Sequence, residues 1–168
     1  RYDVLESMPP YQGGGDMIER VTLSGSTYQL PPQRFEAGTP AIVEVIGLGA
    51  AIDFMRAVGM DAIAAHEASL TQMLYTELSA RNDLHIYGAP QHRAGIVSFT
   101  MDGTSTADVG MILDQCGVAV RTGHHCCQPL MDRFGIEGTV RSSLAMYSHP
   151  DDIAALLAGL DKAKRLLG

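Results

Sequence analysis

Arg121-Thr122-Gly123-His124-His125-Cys126-Cys127-Gln128-Pro129-Leu130 gathers an arginine, two histidines and two thiols between an apolar run and a proline. Buried, such a segment would need a partner for every polar group, so it reads as a loop that presents a thiol. A cysteine attacks as the thiolate, which cationic neighbours favour. Arg121, His124 and His125 supply that setting, and Cys126 is the candidate nucleophile. The competing reading makes Cys126 and Cys127 small, inert fillers, and loop chemistry alone leaves the two level. Metal binding fits less well. Structural zinc sites space their ligands by about two to four residues, whereas these four donors follow one another directly, and adjacent side chains of extended chain point apart. No metal is expected. Cys116, on a helix face after Leu113, is expected in the core.

Two further places could bind anions. Arg141 lies in an otherwise small and apolar strand, either on a solvated edge or as a bidentate clamp for a carboxylate. Thr39 sits between Gly38 and Pro40 ahead of a helix, where it could cap that helix or help a helix N-terminus take a phosphate. Gly13 to Gly15 fits a flexible turn as well as an anion nest. His66, His85, His92 and His149 read as surface or capping residues.

The elements that must position these groups follow from periodicity. Residues 1–40 are rich in Pro and Gly and hold one short strand, Ile18 to Leu23. Helical spacing runs from Ala41 to Gly59 and again after Asp61, the expected cap of a second helix. Leu84 to Tyr87 and Gly95 to Met101 read as strands. Ser105 and Asp108 have capping-box spacing and open a helix ended by Gly117. Val118 to Val120 is expected as a strand entering the cysteine loop, and Val140 to Tyr147 as another. Ser148 and Asp151 repeat the capping-box spacing before a last amphipathic helix. The order α-α-β-β-α-β-β-α predicts an α/β fold, a small sheet with packed helices.

Composition narrows the function classes. At 168 residues the chain is one domain by length, or one plus part of another, and 46% hydrophobic residues suffice for a core. A net charge of -7 argues against nucleic acid. No run reaches the ~18 apolar residues of a membrane span, and no signal peptide is visible. Three cysteines, two of them adjacent, argue against a disulfide framework and for a reducing, cytoplasmic setting. The start at Arg1, without methionine, is what a piece of a longer protein would show.

Several motifs then fall together. Arg121-Thr122-Gly123-His124-His125-Cys126 resembles the active-site cysteine loop of group II (SufS-type) cysteine desulfurases, which include selenocysteine lyases. Gly13-Gly14-Gly15-Asp16-Met17-Ile18, Arg34-Phe35-Glu36-Ala37-Gly38-Thr39-Pro40 and Arg141-Ser142-Ser143-Leu144-Ala145-Met146-Tyr147 resemble the same family in the same order. The resemblance implies a pyridoxal-phosphate enzyme of transferase fold type I in the class V aminotransferase superfamily. Residues 1–55 would end the large domain and include the linking helix, and 56–168 would form the C-terminal small domain. Cys126 would take sulfur from L-cysteine as a persulfide, leaving L-alanine, for delivery to a sulfur-acceptor protein in iron–sulfur cluster assembly. Arg141 would clamp the substrate carboxylate, with Arg121 and His124 in the same cleft. Gly38 and Thr39 would reach the cofactor phosphate of the other subunit of a homodimer. Two departures stand out. The family usually has alanine where this chain has Cys127, a tolerated small residue or a thiol that shares the persulfide. The family also holds its cofactor on a lysine, and the only lysines here, Lys162 and Lys164, lie in the last helix. The alternatives implied are a selenocysteine lyase, or a non-catalytic module that relays persulfide.

Overall fold

The computed structural model describes residues 1–88 and 90–168. The chain divides into two compact units, Arg1–Ala57 and Val58–Gly168.

The first unit holds helix α1 (Tyr2–Ser7), an antiparallel hairpin of β1 (Ile18–Thr22) and β2 (Gly25–Tyr28), a short 3-10 turn (Gln33–Phe35) and all but the last residue of α2 (Ile42–Val58). Arg34 ties it together: its guanidinium donates to the carbonyls of Glu6 (2.8 Å), Met8 (3.2 Å) and Gln29 (3.0 Å). The triple glycine and the Gly38 segment meet through Gly15 O, which accepts from Met17 N (2.8 Å) and Gly38 N (2.9 Å). Gly14 sits in a tight place, where a Cβ would stand 3.1 Å from both Ala37 Cβ and Gly38 N and its neighbours would have to give by a few tenths of an ångström. The spacing of α2 is helical as expected, yet none of its residues is buried.

The second unit is a four-stranded antiparallel sheet in the order β3-β4-β6-β5, built from β3 (Leu84–Tyr87), β4 (Ile96–Met101), β5 (Arg121–Gly123) and β6 (Thr139–Ser143). Helices α3 (Met60–Ser79), α4 (Thr106–Gln115) and α6 (Pro150–Leu167) share its core, and α5 (Gln128–Phe134) follows the cysteine loop. Strand β4 alternates as a half-buried strand should: Val97, Phe99 and Met101 are buried, with Ser98 and Thr100 between them. Those three pack with Val140 of β6, Leu70, Leu74 and Leu78 of α3, Val109, Ile112 and Leu113 of α4, and Ile153, Leu156, Leu160 and Ala163 of α6. The opposite face of the sheet is left for other uses.

Local expectations shift in places. Gly59, with φ 95°, stands at the N-cap of α3 and Asp61 lies in its first turn. Ser105 caps α4 as expected, its hydroxyl accepting from the amides of Ala107 and Asp108. Val118 to Val120, expected as a strand, is irregular chain, because pairing begins only where β6 lies opposite Arg121. Strand β6 stops at Ser143: Ser148 closes a turn, donating from its amide to Ala145 O (2.9 Å) and accepting the Ala145 amide at its hydroxyl (3.0 Å). That hydroxyl is therefore engaged, and His149 with Asp152 forms the capping box of α6 instead. Cys116 is exposed, not buried, because it sits past the last turn of α4 as its C-cap.

Candidate active site

Register brings the site together. Tyr87 pairs with Ser98, Ser98 with Arg141, and Arg141 with Arg121. Directly opposed residues share a face, so these four form one row across the whole sheet, on the side away from the helical core. Two arginines thus stand opposite each other on neighbouring strands, an arrangement that is unfavourable without an anion. Among the described residues neither is paired with a carboxylate.

Arg141 lines a cleft of about 320 Å³ with Tyr87, Ser98, His125, Cys127 and Thr139, and with Leu130, Met131 and Phe134 of the α5 segment. The Tyr87 and Phe134 rings, 5.3 Å apart between centroids, close one wall. Among the described residues, Arg141 Nε and His125 Nδ1 are buried with no hydrogen-bond partner. A buried donor in this state costs about 1–3 kcal/mol, and the positive charge of Arg141 on its wall suits the cleft to an anion such as a carboxylate.

The cysteine loop is a forced turn. Gly123 has φ 104°, and His125 (53°) and Cys126 (57°) follow in the left-handed region, where a residue with a Cβ is disfavoured by roughly 1–2 kcal/mol. Three hydrogen bonds hold it. Cys126 N donates to His124 Nδ1 (3.0 Å), Cys127 N donates to His124 O (2.9 Å), and His125 Nε2 bonds Thr139 Oγ1 (2.8 Å). With Nδ1 accepting, the proton of a neutral His124 ring sits on Nε2. Backbone strain of this kind clusters at functional positions. Gly138 lets β5 lie against β6 below the loop, since a Cβ there would reach 2.6 Å from Gly123 C.

Cys126, Cys127, His124 and Arg121 are exposed, and His125 and Arg141 half-buried. Both histidines were expected to add positive charge beside the thiol. His125 does not: burial first, and then the Arg141 charge, push its pKa below the ordinary histidine value. Of the expected site residues Arg141 alone lines the cleft; Arg121 is its cross-strand neighbour, His124 and Cys126 bond each other in the loop whose next residue, Cys127, lines the cleft, and Gly38 and Thr39 belong to the other unit. There Gly38 adopts φ 94° and Thr39 is exposed. Val45 N donates to Ala41 O (3.0 Å), so α2 starts too far along for Thr39 to cap it. Sequence reasoning missed Tyr87, Ser98 and Thr139. Ser98, polar between buried Val97 and Phe99, was the available signal.

The aminotransferase class-V model matches residues 1–156. The chain belongs to the class-V aminotransferase family. It is 49% identical over 167 residues to a cysteine desulfurase of Dickeya dadantii, which covers 99% of this chain and 40% of that protein. The chain thus spans about two-fifths of the length of such relatives. Its fold superposes on the crystal structure of the cysteine desulfurase CsdA from Escherichia coli with a TM-score of 0.91, at 32% identity, covering 100% of this chain and 42% of that one. A variant of the protein C-DES, solved with glycine covalently linked to its PLP cofactor, has a TM-score of 0.72 at 22% identity and covers 95% of this chain and 40% of its own. The architecture is that of PLP-dependent transferases of fold type I.

Pyridoxal phosphate, which these neighbours imply for class-V aminotransferases, needs an amine for its aldehyde. Lys162 and Lys164 both lie on α6, where Lys164 Nζ faces Asp83 Oδ2 at 3.4 Å, and neither lines the cleft. The cleft offers no lysine as a covalent seat for the cofactor.

Proposed function

We propose that this chain is the C-terminal, thiol-bearing part of a cysteine desulfurase of the group II type, which takes sulfur from L-cysteine and hands it to an acceptor protein for iron–sulfur cluster assembly. The observation that carries the proposal is the opposed pair Arg121 and Arg141, with Arg141 lining the cleft beside the cysteine loop. The relatives named cysteine desulfurase support it.

In this reading the guanidinium of Arg141 grips the substrate carboxylate, with Arg121 adding charge from the next strand. The forced turn holds Cys126 out of the core with its thiol exposed. Cys126 Sγ attacks the substrate sulfur: an S–S bond forms, the C–S bond breaks, and carbon keeps the electron pair and takes a proton to become alanine. The products are L-alanine and a persulfide on Cys126. When bound, the cofactor supplies an electron sink for the substrate, and Gly38 and Thr39 are the residues of this chain proposed to meet its phosphate across a homodimer.

The test is sulfide and alanine production from L-cysteine by the full-length holoenzyme and its Cys126→Ser variant. We expect the variant to lose turnover, and retained turnover would sink the assignment. The placement of both lysines away from the cleft favours a second reading, a module that only relays persulfide. Activity of the isolated chain with added cofactor would contradict the argument from the lysines; silence from the full-length protein as well would favour the relay.

A further inference from the structure

The proposed reaction uses one of the two thiols in the loop. Cys127 is also exposed and free, and unlike the strained residue before it, it is well anchored. Its amide donates to His124 O (2.9 Å), and its carbonyl accepts from Leu130 N (3.1 Å) and Met131 N (3.3 Å) at the start of α5. It lines the cleft with Arg141 and His125. Two adjacent thiols thus sit on one loop, the first on a left-handed turn and the second on the wall of the substrate cleft.

We propose that Cys127 is a second sulfur carrier, which takes the outer sulfur of the Cys126 persulfide into the cleft wall. The inference rests on the reading that Cys126 forms that persulfide. The step balances without an oxidant. Cys127 thiolate attacks the outer sulfur, a new S–S bond forms on Cys127, the Cys126–sulfur bond breaks, and Cys126 leaves as thiolate, ready for another substrate. Arg141, in the same cleft, stands as counter-ion to the relocated persulfide once the substrate carboxylate has gone.

Geometry selects this transfer over direct bonding of the two cysteines. Consecutive Cα atoms are about 3.80 Å apart, below the ~4.4 Å at which ordinary disulfides begin, so a Cys126–Cys127 disulfide is strained and easily reduced. The outer sulfur of a persulfide stands a further ~2.05 Å from Cys126 Sγ. That extension lets the second thiol reach it without closing the strained ring. The loop can then hold two transferable sulfurs.

The experiment loads the full-length holoenzyme with L-cysteine in the absence of reductant and acceptor. Samples are alkylated at intervals, digested, and sequenced by tandem mass spectrometry, with cleavage between residues 126 and 127 locating each extra sulfur. Wild type should carry sulfur on Cys126 first and on Cys127 later, approaching two per chain. Cys127→Ala and Cys127→Ser should stop at one, on Cys126, and Cys126→Ser should carry none. Sulfur confined to Cys126 at all times, with equal loading in wild type and both Cys127 variants, overturns the relay. So does Cys127 loading in Cys126→Ser, which would mean that it takes sulfur from substrate directly. Alanine formation without sulfur on either residue overturns the persulfide reading itself, and the relay with it.

Discussion

Exchanging Arg141 for lysine keeps a positive charge in the cleft but removes the planar fork. Arginine can present Nε and a terminal nitrogen to both carboxylate oxygens at once, whereas lysine offers a single point of donation. Arg141 lines the cleft, so the second point of donation that lysine lacks is one a carboxylate there would use. A hydrogen bond to a charged group is worth about 1.5–3 kcal/mol. At 1.4 kcal/mol per factor of ten, losing one should lower kcat/KM for L-cysteine roughly 10- to 150-fold. The assay is alanine formation by the full-length holoenzyme over a range of cysteine concentrations. A direct binding check accompanies it: L-alanine should raise the unfolding temperature of wild type and raise that of Arg141→Lys much less. The companion change Arg121→Gln removes the opposed like charge, so the ligand-free protein should gain the ~0.2–1 kcal/mol that such cross-strand pairs are worth while substrate affinity falls. An Arg141→Lys enzyme within threefold of wild type, with the same response to alanine, would refute the carboxylate clamp.

Two other outcomes are expected. A Cβ at Gly138 would press on the Gly123 backbone at 2.6–2.8 Å, whereas one at Gly159 would meet the side-chain end of Leu113, Cδ2, at 2.6 Å. Gly138→Ala should therefore cost about 1–3 kcal/mol by chemical denaturation. Gly159→Ala, helped by the ~1 kcal/mol helical preference of alanine over glycine, should cost clearly less, and equal costs would contradict this contrast. The pKa of His125 is lowered in the fold, so below the unfolded value of about 6.5 the unfolded chain binds the proton that the folded chain refuses. Stability from this residue is complete above that pH and is lost as pH falls through the lower folded value. His125→Gln should flatten that part of the stability profile, and an unchanged profile would rule out His125 as its source.

Local chemistry was the most readable part of the chain. The alternation of β4 and the amphipathic spacing of α6 are periodic patterns that burial imposes on sequence, and both elements lie where those patterns put them. Ser105 at the start of α4 was legible because a cap needs only its own helix. Helix α5 was not, since seven residues are too few to be stable without tertiary packing. Its partners, including Tyr87, are distant in sequence. The cap of α6 was misplaced by one residue because Ser148 spends its hydroxyl on the Ala145 amide, a turn that nothing in the spacing announces.

The sequence by itself determined that a thiol loop follows an apolar segment, that Arg141 sits in a strand, and that the fold mixes helices with a small sheet. Each of these depends on residues near in the chain. Tertiary structure alone decided that Tyr87, Ser98, Arg141 and Arg121 form one row, that Arg141 Nε is left without a partner, and that burial beside Thr139 and Arg141 lowers the His125 pKa. The physical reason is register. Sliding one strand by a single residue would turn its side chains to the other face and scatter the row, and that choice is made by pairing across the whole sheet.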